Sequence, residues 1–377
     1  MKYVFRPQSV LTALALACGF ALSAASAQAD VIKIAAVGPM TGPVTQYGDQ
    51  IKAGALTAIE AINAAGGVNG HTFEMVPVDD ACEPKQGPIA ANKVVNDGIK
   101  FAVGIACSGA AIASTDIYEN EGVVLITPGA TSPLVTEGKG YEYIFRTIGR
   151  DDQQGPLAAK FIAEQVKPNL VVVLHDKQSY GQGIATSVYE ALKKAGVNVA
   201  FFEGINPGDS DYSAMITRVK TSGADFVYFG GYHPEMGLLL RQAAEQGLKV
   251  QFMGPEGVAN SELSAIAGPS SEGMLLTFPA DFSSDPANAK IVEAFRAKGR
   301  EADGAFTLTA YAAVQALAEA IKQTGSTDPD VIAKYLHTHA IDTVIGKGTA
   351  WDEQGDVKDF DFAVFRWHAN GPKTPVK

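Results

Sequence analysis

Cysteine, tryptophan and histidine are scarce in this sequence, at three, two and six of 377 residues. Such a set of soft and imidazole ligands leaves little from which to build a metal centre. The closest histidines, His337 and His339, fall at an expected helix end with no cysteine or carboxylate beside them. Positive charge is also short: 30 Lys and Arg against 41 Asp and Glu, a net −11. That balance argues against nucleic acid or an anionic membrane surface as partner. No apolar run beyond the amino terminus approaches the ~18 residues of a membrane span. Enzyme signatures are missing as well. Ser108 follows Ala106-Cys107, so the first glycine of a G-x-S-x-G elbow is absent. The segment Gly38-Pro39-Met40-Thr41-Gly42-Pro43 lacks G-x-G-x-x-G spacing, and its prolines remove backbone donors that a pyrophosphate needs. There is no P-loop, and no C-x-x-C.

What is present begins with an export address. Lys2 and Arg6 precede an apolar stretch from Val10 to Leu22, and small residues lead to Ala27-Gln28-Ala29, an A-x-A pattern that predicts cleavage after Ala29. Lipidation at Cys18 is the competing reading, but Ala15-Leu16-Ala17 matches a lipobox poorly. Removing residues 1–29 takes away two positive charges and no acid, so the mature chain is still more acidic. It keeps Cys82 and Cys107, which in an oxidising compartment are expected to pair. The expected location is the periplasm, with no direct membrane insertion.

From Val31 one unit recurs: short apolar strand, turn, amphipathic helix, glycine, next strand. Strands are expected at 32–37, 73–78, 101–105 and 123–127, then at 170–174, 198–203, 226–229, 251–253 and 274–278. These are short runs suited to parallel sheets covered on both faces. Between them Tyr47, Ile51, Ala55, Ile59 and Ile62 share one helical face, as do Ile184, Val188 and Leu192. The fold class is therefore α/β, with two mainly parallel sheets flanked by helices. Residues 147–152 break the pattern as a crossover. After Pro279 the chain turns helical at 287–298, 307–324 and 330–337, and a hairpin of 348–351 with 360–367 is expected at the end. Helices without a sheet of their own must return to an existing one. The expected organisation is lobe 1 at 30–149 plus 280–361 and lobe 2 at 150–279 plus 362–377.

Ligands of open parallel sheets bind beyond the carboxyl ends of the strands, where helix N-termini offer free N–H groups. Cys107-Ser108-Gly109 and Pro128-Gly129-Ala130-Thr131-Ser132 stand at two such ends. Each is compatible with a plain helix cap, and each could also hold a carboxylate through hydroxyl and backbone N–H. Gly254-Pro255-Glu256-Gly257 and Gly230-Gly231-Tyr232-His233-Pro234 follow strands of the second set. Glu256 there is either a solvated loop acid or the partner of a ligand ammonium, and Tyr232 either a loop anchor or a pocket wall. Donors facing an acid suit a zwitterion, whose two charges are costly to bury unless each is met.

Longer stretches carry a family resemblance. Gln46-Tyr47-Gly48-Asp49-Gln50, Asp79-Asp80-Ala81-Cys82, Ala91-Asn92-Lys93-Val94-Val95-Asn96-Asp97-Gly98, His175-Asp176-Lys177-Gln178, Tyr232 to Gly237, Phe252 to Asn260 and Trp367 to Gly371 resemble the periplasmic leucine/isoleucine/valine-binding proteins across the mature chain. The resemblance implies a two-lobed, type I periplasmic-binding-protein fold hinged by crossover strands. It implies a non-enzymatic, cofactor-free and metal-free monomer that closes on a free branched-chain amino acid and serves an inner-membrane ATP-driven (ABC) permease complex. By the same resemblance Ser108 and Thr131 hold the ligand carboxylate, while the Gly129 carbonyl, Thr131 hydroxyl and Glu256 hold its ammonium. Tyr47, Cys107, Ala130, Tyr232 and Phe306 wall the side chain, Tyr180 closes from the second lobe, and Cys82 pairs with Cys107. Ala106 replaces a bulky apolar residue of the leucine-binding relative, and Gly129 an alanine. A pocket altered there leaves phenylalanine, methionine and γ-aminobutyrate as alternative ligands of the same family, one methylene being worth only about 1–3 kcal/mol. Amides and urea fit Glu256 less well. A ligand sensor is a further alternative, and a secreted α/β hydrolase would need the nucleophile and base that are missing.

Overall fold

The computed structural model describes residues 1–3 and 30–376; the expected cleavage site after Ala29 and nearly all of the expected leader lie outside the described residues. The chain runs β1 (Asp30–Gly38), α1 (Thr45–Ala64), β2 (His71–Asp79), α2 (Gly87–Asn96), β3 (Phe101–Gly104), α3 (Ser108–Asn120), β4 (Val124–Thr127) and β5 (Ile144–Arg146). These strands form a parallel sheet of order β2-β1-β3-β4-β5. It then crosses into α4 (Asp151–Phe161), β6 (Val171–His175), α5 (Ser179–Lys194), β7 (Val199–Gly204), α6 (Ser213–Ser222), β8 (Phe226–Gly230), α7 (His233–Glu245), β9 (Gln251–Gly254), α8 (Ser261–Ala267) and β10 (Leu275–Pro279). After it come α9 (Ala289–Ala297), α10 (Thr307–Thr324), α11 (Pro329–Thr338), β11 (Ile341–Thr343), β12 (Gly346–Thr349), β13 (Phe362–Arg366) and β14 (Thr374–Pro375).

The second sheet has order β14-β13-β10-β9-β8-β6-β7, parallel except where β13 lies antiparallel to β10 and β14 to β13. Central strands such as β3, β4, β6 and β8 are buried along their whole length, which explains their continuous apolar sequence. The apolar face of α1 is buried as its period requires, through Tyr47, Ile51, Ala55 and Ile59. Against it packs α10, and Gly54 lets the two helices touch: a Cβ there would lie 2.1 Å from the Thr307 carbonyl. The late helices thus return to the first sheet.

The expected terminal hairpin does not form. The 346–349 strand pairs with β11 (341–343), and β13 leaves to join β10. Trp351 meets Val357 only in an isolated bridge. The apolar face of 362–366 is satisfied by the open edge of β10, a partner eighty residues upstream that no local turn signal reveals. The short strand β5 also escaped the periodicity, because three residues carry no period.

Cys82 and Cys107 are bonded, with Cα atoms 5.3 Å apart. The bridge ties the loop after β2, where Ala81 and Cys82 have left-handed backbones, to the residue preceding α3. The chain-entropy relation for a loop of 25 residues gives about 3.5 kcal/mol. Replacing both cysteines by serine is expected to lower the unfolding free energy in urea by roughly that amount.

Candidate functional site

The carboxyl ends of β3, β4, β8 and β9 face one another across the two sheets. Beyond β3, Ser108 is the first residue of α3 and its hydroxyl accepts the Ser132 N–H at 3.2 Å. Beyond β4, Thr131 does not open an α-helix as Ser108 does; the next regular turn is the 3-10 segment Pro133–Val135. Of these two segments only Ser108 opens an α-helix. The backbone entering this wall is strained: Ile105, β-branched, has φ 68°. It is held there by its N–H on the Val37 carbonyl (2.7 Å) and by the Thr127 hydroxyl on its own carbonyl (2.7 Å).

A buried cation fixes the 130–132 loop. Arg146, fully buried, donates to the carbonyls of Ala130 (2.8 Å) and Ser132 (3.2 Å), to the Thr136 hydroxyl (2.6 Å) and to Asp356 (2.5 Å). Asp356 also takes Arg150 at 2.7 Å. Neither Arg146 nor Asp356 was singled out in the sequence, yet together they hold the loop that carries Thr131.

From the other lobe, Glu256 begins a 3-10 turn directly after β9 and is almost completely buried. Tyr180 donates to one carboxyl oxygen at 2.7 Å and Gln154 to the other at 2.5 Å. Burial raises the carboxyl's pKa, and these two bonds oppose the rise. The aromatic residues form a continuous wall: Phe306 meets Tyr47 edge-on at 5.3 Å, Tyr47 meets Tyr232 at 5.8 Å, and Tyr232 meets Tyr180 at 5.1 Å. Cys107 and Ala130 are buried beside it. The two departures noted in the sequence adjoin one another. A Cβ on Gly129 would come within 2.9 Å of the Ala106 Cα and 3.1 Å of the Phe306 ring, so that ring sits over bare backbone.

Sequence reasoning missed Asp151, placed only within a crossover. It is the first residue of α4, its N–H donates to the Thr131 carbonyl at 2.9 Å, and both its carboxyl oxygens are buried without a hydrogen-bond partner. The Thr131 hydroxyl and the Gln154 side-chain carbonyl are likewise unpartnered. Burial, and next the neighbouring Glu256 carboxylate, push the Asp151 pKa well above the usual carboxylate range. The one available signal was an Asp-Asp pair at the crossover, which reads equally as a helix N-terminus. His233 was quoted only as part of a motif; it is fully buried against Tyr47.

The site thus sets hydroxyls and backbone donors of one lobe against two buried acids and a tyrosine wall. The description "Periplasmic binding protein" fits residues 31–372 as a family model. The chain belongs to the periplasmic binding protein family. Among its relatives, a leucine-, isoleucine-, valine-, threonine- and alanine-binding protein of Pseudomonas aeruginosa is 55% identical, covering 99% of this chain and 98% of that one. A Leu/Ile/Val-binding protein of Escherichia coli is 54% identical over 93% of this chain and 95% of its own. In structure, the branched-chain amino acid transporter substrate binding protein of Streptococcus pneumoniae, solved in complex with isoleucine, aligns with TM-score 0.84 at 26% identity over 92% of this chain and 99% of that one. The fold of this binding protein is accordingly type I and two-lobed. Among its described residues no helix is long and apolar enough to cross a membrane, and no group of three or more His, Cys, Asp or Glu is placed to hold a metal ion.

The Asp151 carboxyl has a folded pKa raised above its unfolded one, so its effect on folding is unfavourable once pH exceeds the ordinary carboxyl range, ~4, and is absent below it. Asp151→Asn is expected to stabilise the ligand-free protein at neutral pH by about 1–3 kcal/mol. In urea unfolding the gain shrinks toward acid pH; a gain independent of pH would contradict the assignment.

Proposed function

We propose that this protein is the substrate-binding component of an amino-acid ABC importer, capturing a free, branched-chain or other aliphatic L-amino acid between its lobes. The lobes divide at 30–149 with 280–361 and 150–279 with 362–377. The ligand docks first on lobe 1, its carboxylate on the hydroxyls and backbone N–H groups of Ser108 and Thr131. The Gly129 carbonyl and Thr131 hydroxyl begin to hold the ammonium. Closure then brings Glu256, with Tyr180 and Tyr232, over the ligand, while Tyr47, Cys107, Ala130 and Phe306 enclose the side chain.

The observation that carries this reading is the buried pair of acids. Asp151 and Glu256 share a buried site in which, among the described residues, no side-chain cation hydrogen-bonds either carboxyl, and four polar oxygen atoms, two on Asp151 and one each on Thr131 and Gln154, lack partners. An ammonium group brings a positive charge and three donors to this acceptor-rich set, and the donor wall opposite selects a ligand that also bears a carboxylate. Burial of an aliphatic side chain adds roughly 1.5–3 kcal/mol. The protein acts as a periplasmic monomer released from its leader after Ala29, needs no cofactor, transforms nothing, and presents the closed lobes to a membrane permease complex.

A thermal-shift panel of the twenty amino acids and γ-aminobutyrate is expected to give its largest stabilisation with leucine, isoleucine or valine. Glu256→Ala removes one charged partner of the ammonium and is expected to weaken calorimetric affinity by at least about 100-fold, 2.7 kcal/mol or more, with the fold intact. Unchanged affinity would place the ammonium elsewhere. Because both acids are pushed up when buried between the closed lobes, an ammonium held there displaces protons from them. Titration in buffers of differing ionisation heat is therefore expected to show, in mildly acidic solution, more proton release for the wild type than for Asp151→Asn.

A further inference from the structure

Tyr47 of α1 reaches across the cleft and is clasped by the second lobe. Its hydroxyl lies 2.5 Å from the Gly257 carbonyl oxygen and 3.0 Å from Nδ1 of His233. On the far side of the imidazole, Nε2 is 3.0 Å from a carboxylate oxygen of Glu262. Counting donors gives the protonation that the full set of three bonds requires. The Gly257 carbonyl only accepts, so at 2.5 Å the phenol must give it its single proton. Burial, and then the nearby Glu256 and Glu235 carboxylates, hold the Tyr47 phenol well above its ordinary range, so that proton is retained. Nδ1 must then donate to the phenol oxygen, and Nε2 must donate to the Glu262 carboxylate. All three bonds form together only when His233 carries two N–H groups and a positive charge.

We infer that His233 is a positioning residue that latches the lobes over the ligand, and that closing the latch takes up a proton. It touches Tyr47 rather than the ligand site's charged groups, and acts by fixing that wall residue to lobe 2. Two groups touch the imidazole directly, the Tyr47 phenol from α1 and the Glu262 carboxylate from α8, and Glu262 favours the charge; Glu256, from the turn after β9, and Glu235 of α7 lie close enough to act on the adjoining Tyr47 phenol. The cations of α6, Arg218 and Lys220, are engaged by Glu203 and by the Gln246 carbonyl. Against the charge stand burial, the largest influence, which leaves the closed-form imidazole pKa below its ordinary value although Glu262 raises it, and the position at the start of α7. The charged form is therefore held by its two acceptors, and one of these, Tyr47, is present only when the lobes meet. Relative to the open form, closure raises the pKa of His233. The latch's contribution is complete below the open-form pKa and disappears as pH rises through the closed-form value, a window at and below the ordinary imidazole pKa of ~6.5.

The inference rests on the interlobe ligand site proposed above, and its test separates the two. Leucine affinity is measured by calorimetry between about pH 5.5 and 8 for the wild type, His233→Gln and Glu262→Gln. Taking the ratio of wild type to variant cancels the proton release of Asp151 and Glu256, which all three proteins share. The ratio to His233→Gln is expected to be at least about fivefold larger at the acid end than at the alkaline end. A ratio constant with pH, or one falling toward acid, overturns the inference. Glu262→Gln, at a partly exposed position, serves should the buried substitution fail to fold: it is expected to lose the same acid gain, and a profile parallel to the wild type counts against the latch. If leucine gives no heat with any of the three, the ligand reading fails. The latch is then read from the distance between spin labels, one on each lobe, without ligand. A closed fraction that rises in acid for the wild type but not for Glu262→Gln supports it, and identical behaviour overturns it.

Discussion

Two buried carboxyl groups that no side-chain cation hydrogen-bonds among the described residues, Asp151 and Glu256, are the constraint around which this molecule is arranged. Buried acids are tolerated when protonated or when paired, and here the protein supplies neutral partners only: Tyr180 and Gln154 for Glu256, and no side-chain hydrogen bond for Asp151. The nearest fully buried cation, Arg146, is already committed to Asp356 and to the loop carbonyls. An electrostatic debt is thereby left for a ligand to settle. Stability is given up locally, and the ligand-free site is poised to respond to a positive charge.

The scaffold around that site spends its rigidity where position matters most. The disulfide pins the residue before α3, the Ile105 backbone is held in an unfavourable region by two hydrogen bonds, and Arg146 grips the loop carrying Thr131. These features lie on the first lobe, which offers donors. The second lobe contributes Glu256, Tyr180, Tyr232 and His233 from strand ends and helix starts that move as one body with their sheet. On the proposed reading, a site divided in this way makes ligand capture and lobe closure a single event, since the ammonium would draw partners from both sides of the hinge.

Much of this was legible in the residues. The alternation of short apolar strands with helices predicted α/β layers, and Tyr47, Ile51, Ala55 and Ile59 occupy the buried face expected of them. Strand-end logic found Ser108, Thr131, Tyr232 and Glu256, because parallel sheets always present those positions to a cleft. Family resemblance contributed Phe306 and Tyr180, which no local pattern marks. Asp151 and Arg146 went unseen. Each lies in a short stretch without period, and only burial distinguishes a buried carboxylate or guanidinium from an ordinary surface charge. The terminal hairpin failed for a related reason: β13 pairs with β10 across a long sequence separation, and pairing energy at that range is set by which sheet edge is free.

By itself the sequence determined the periodicities, the pairing of Cys82 with Cys107 and the residue types available at each strand end, because these are local or compositional properties. Tertiary structure alone decided which acids are dry, which hydroxyls lack partners, and that Tyr47, His233 and Glu262 stand in one line across the cleft. Charge and hydrogen-bond satisfaction depend on what surrounds a group in space. Residues brought together from α1, α4, α7 and α8 acquire those surroundings only when the two sheets are folded and set face to face.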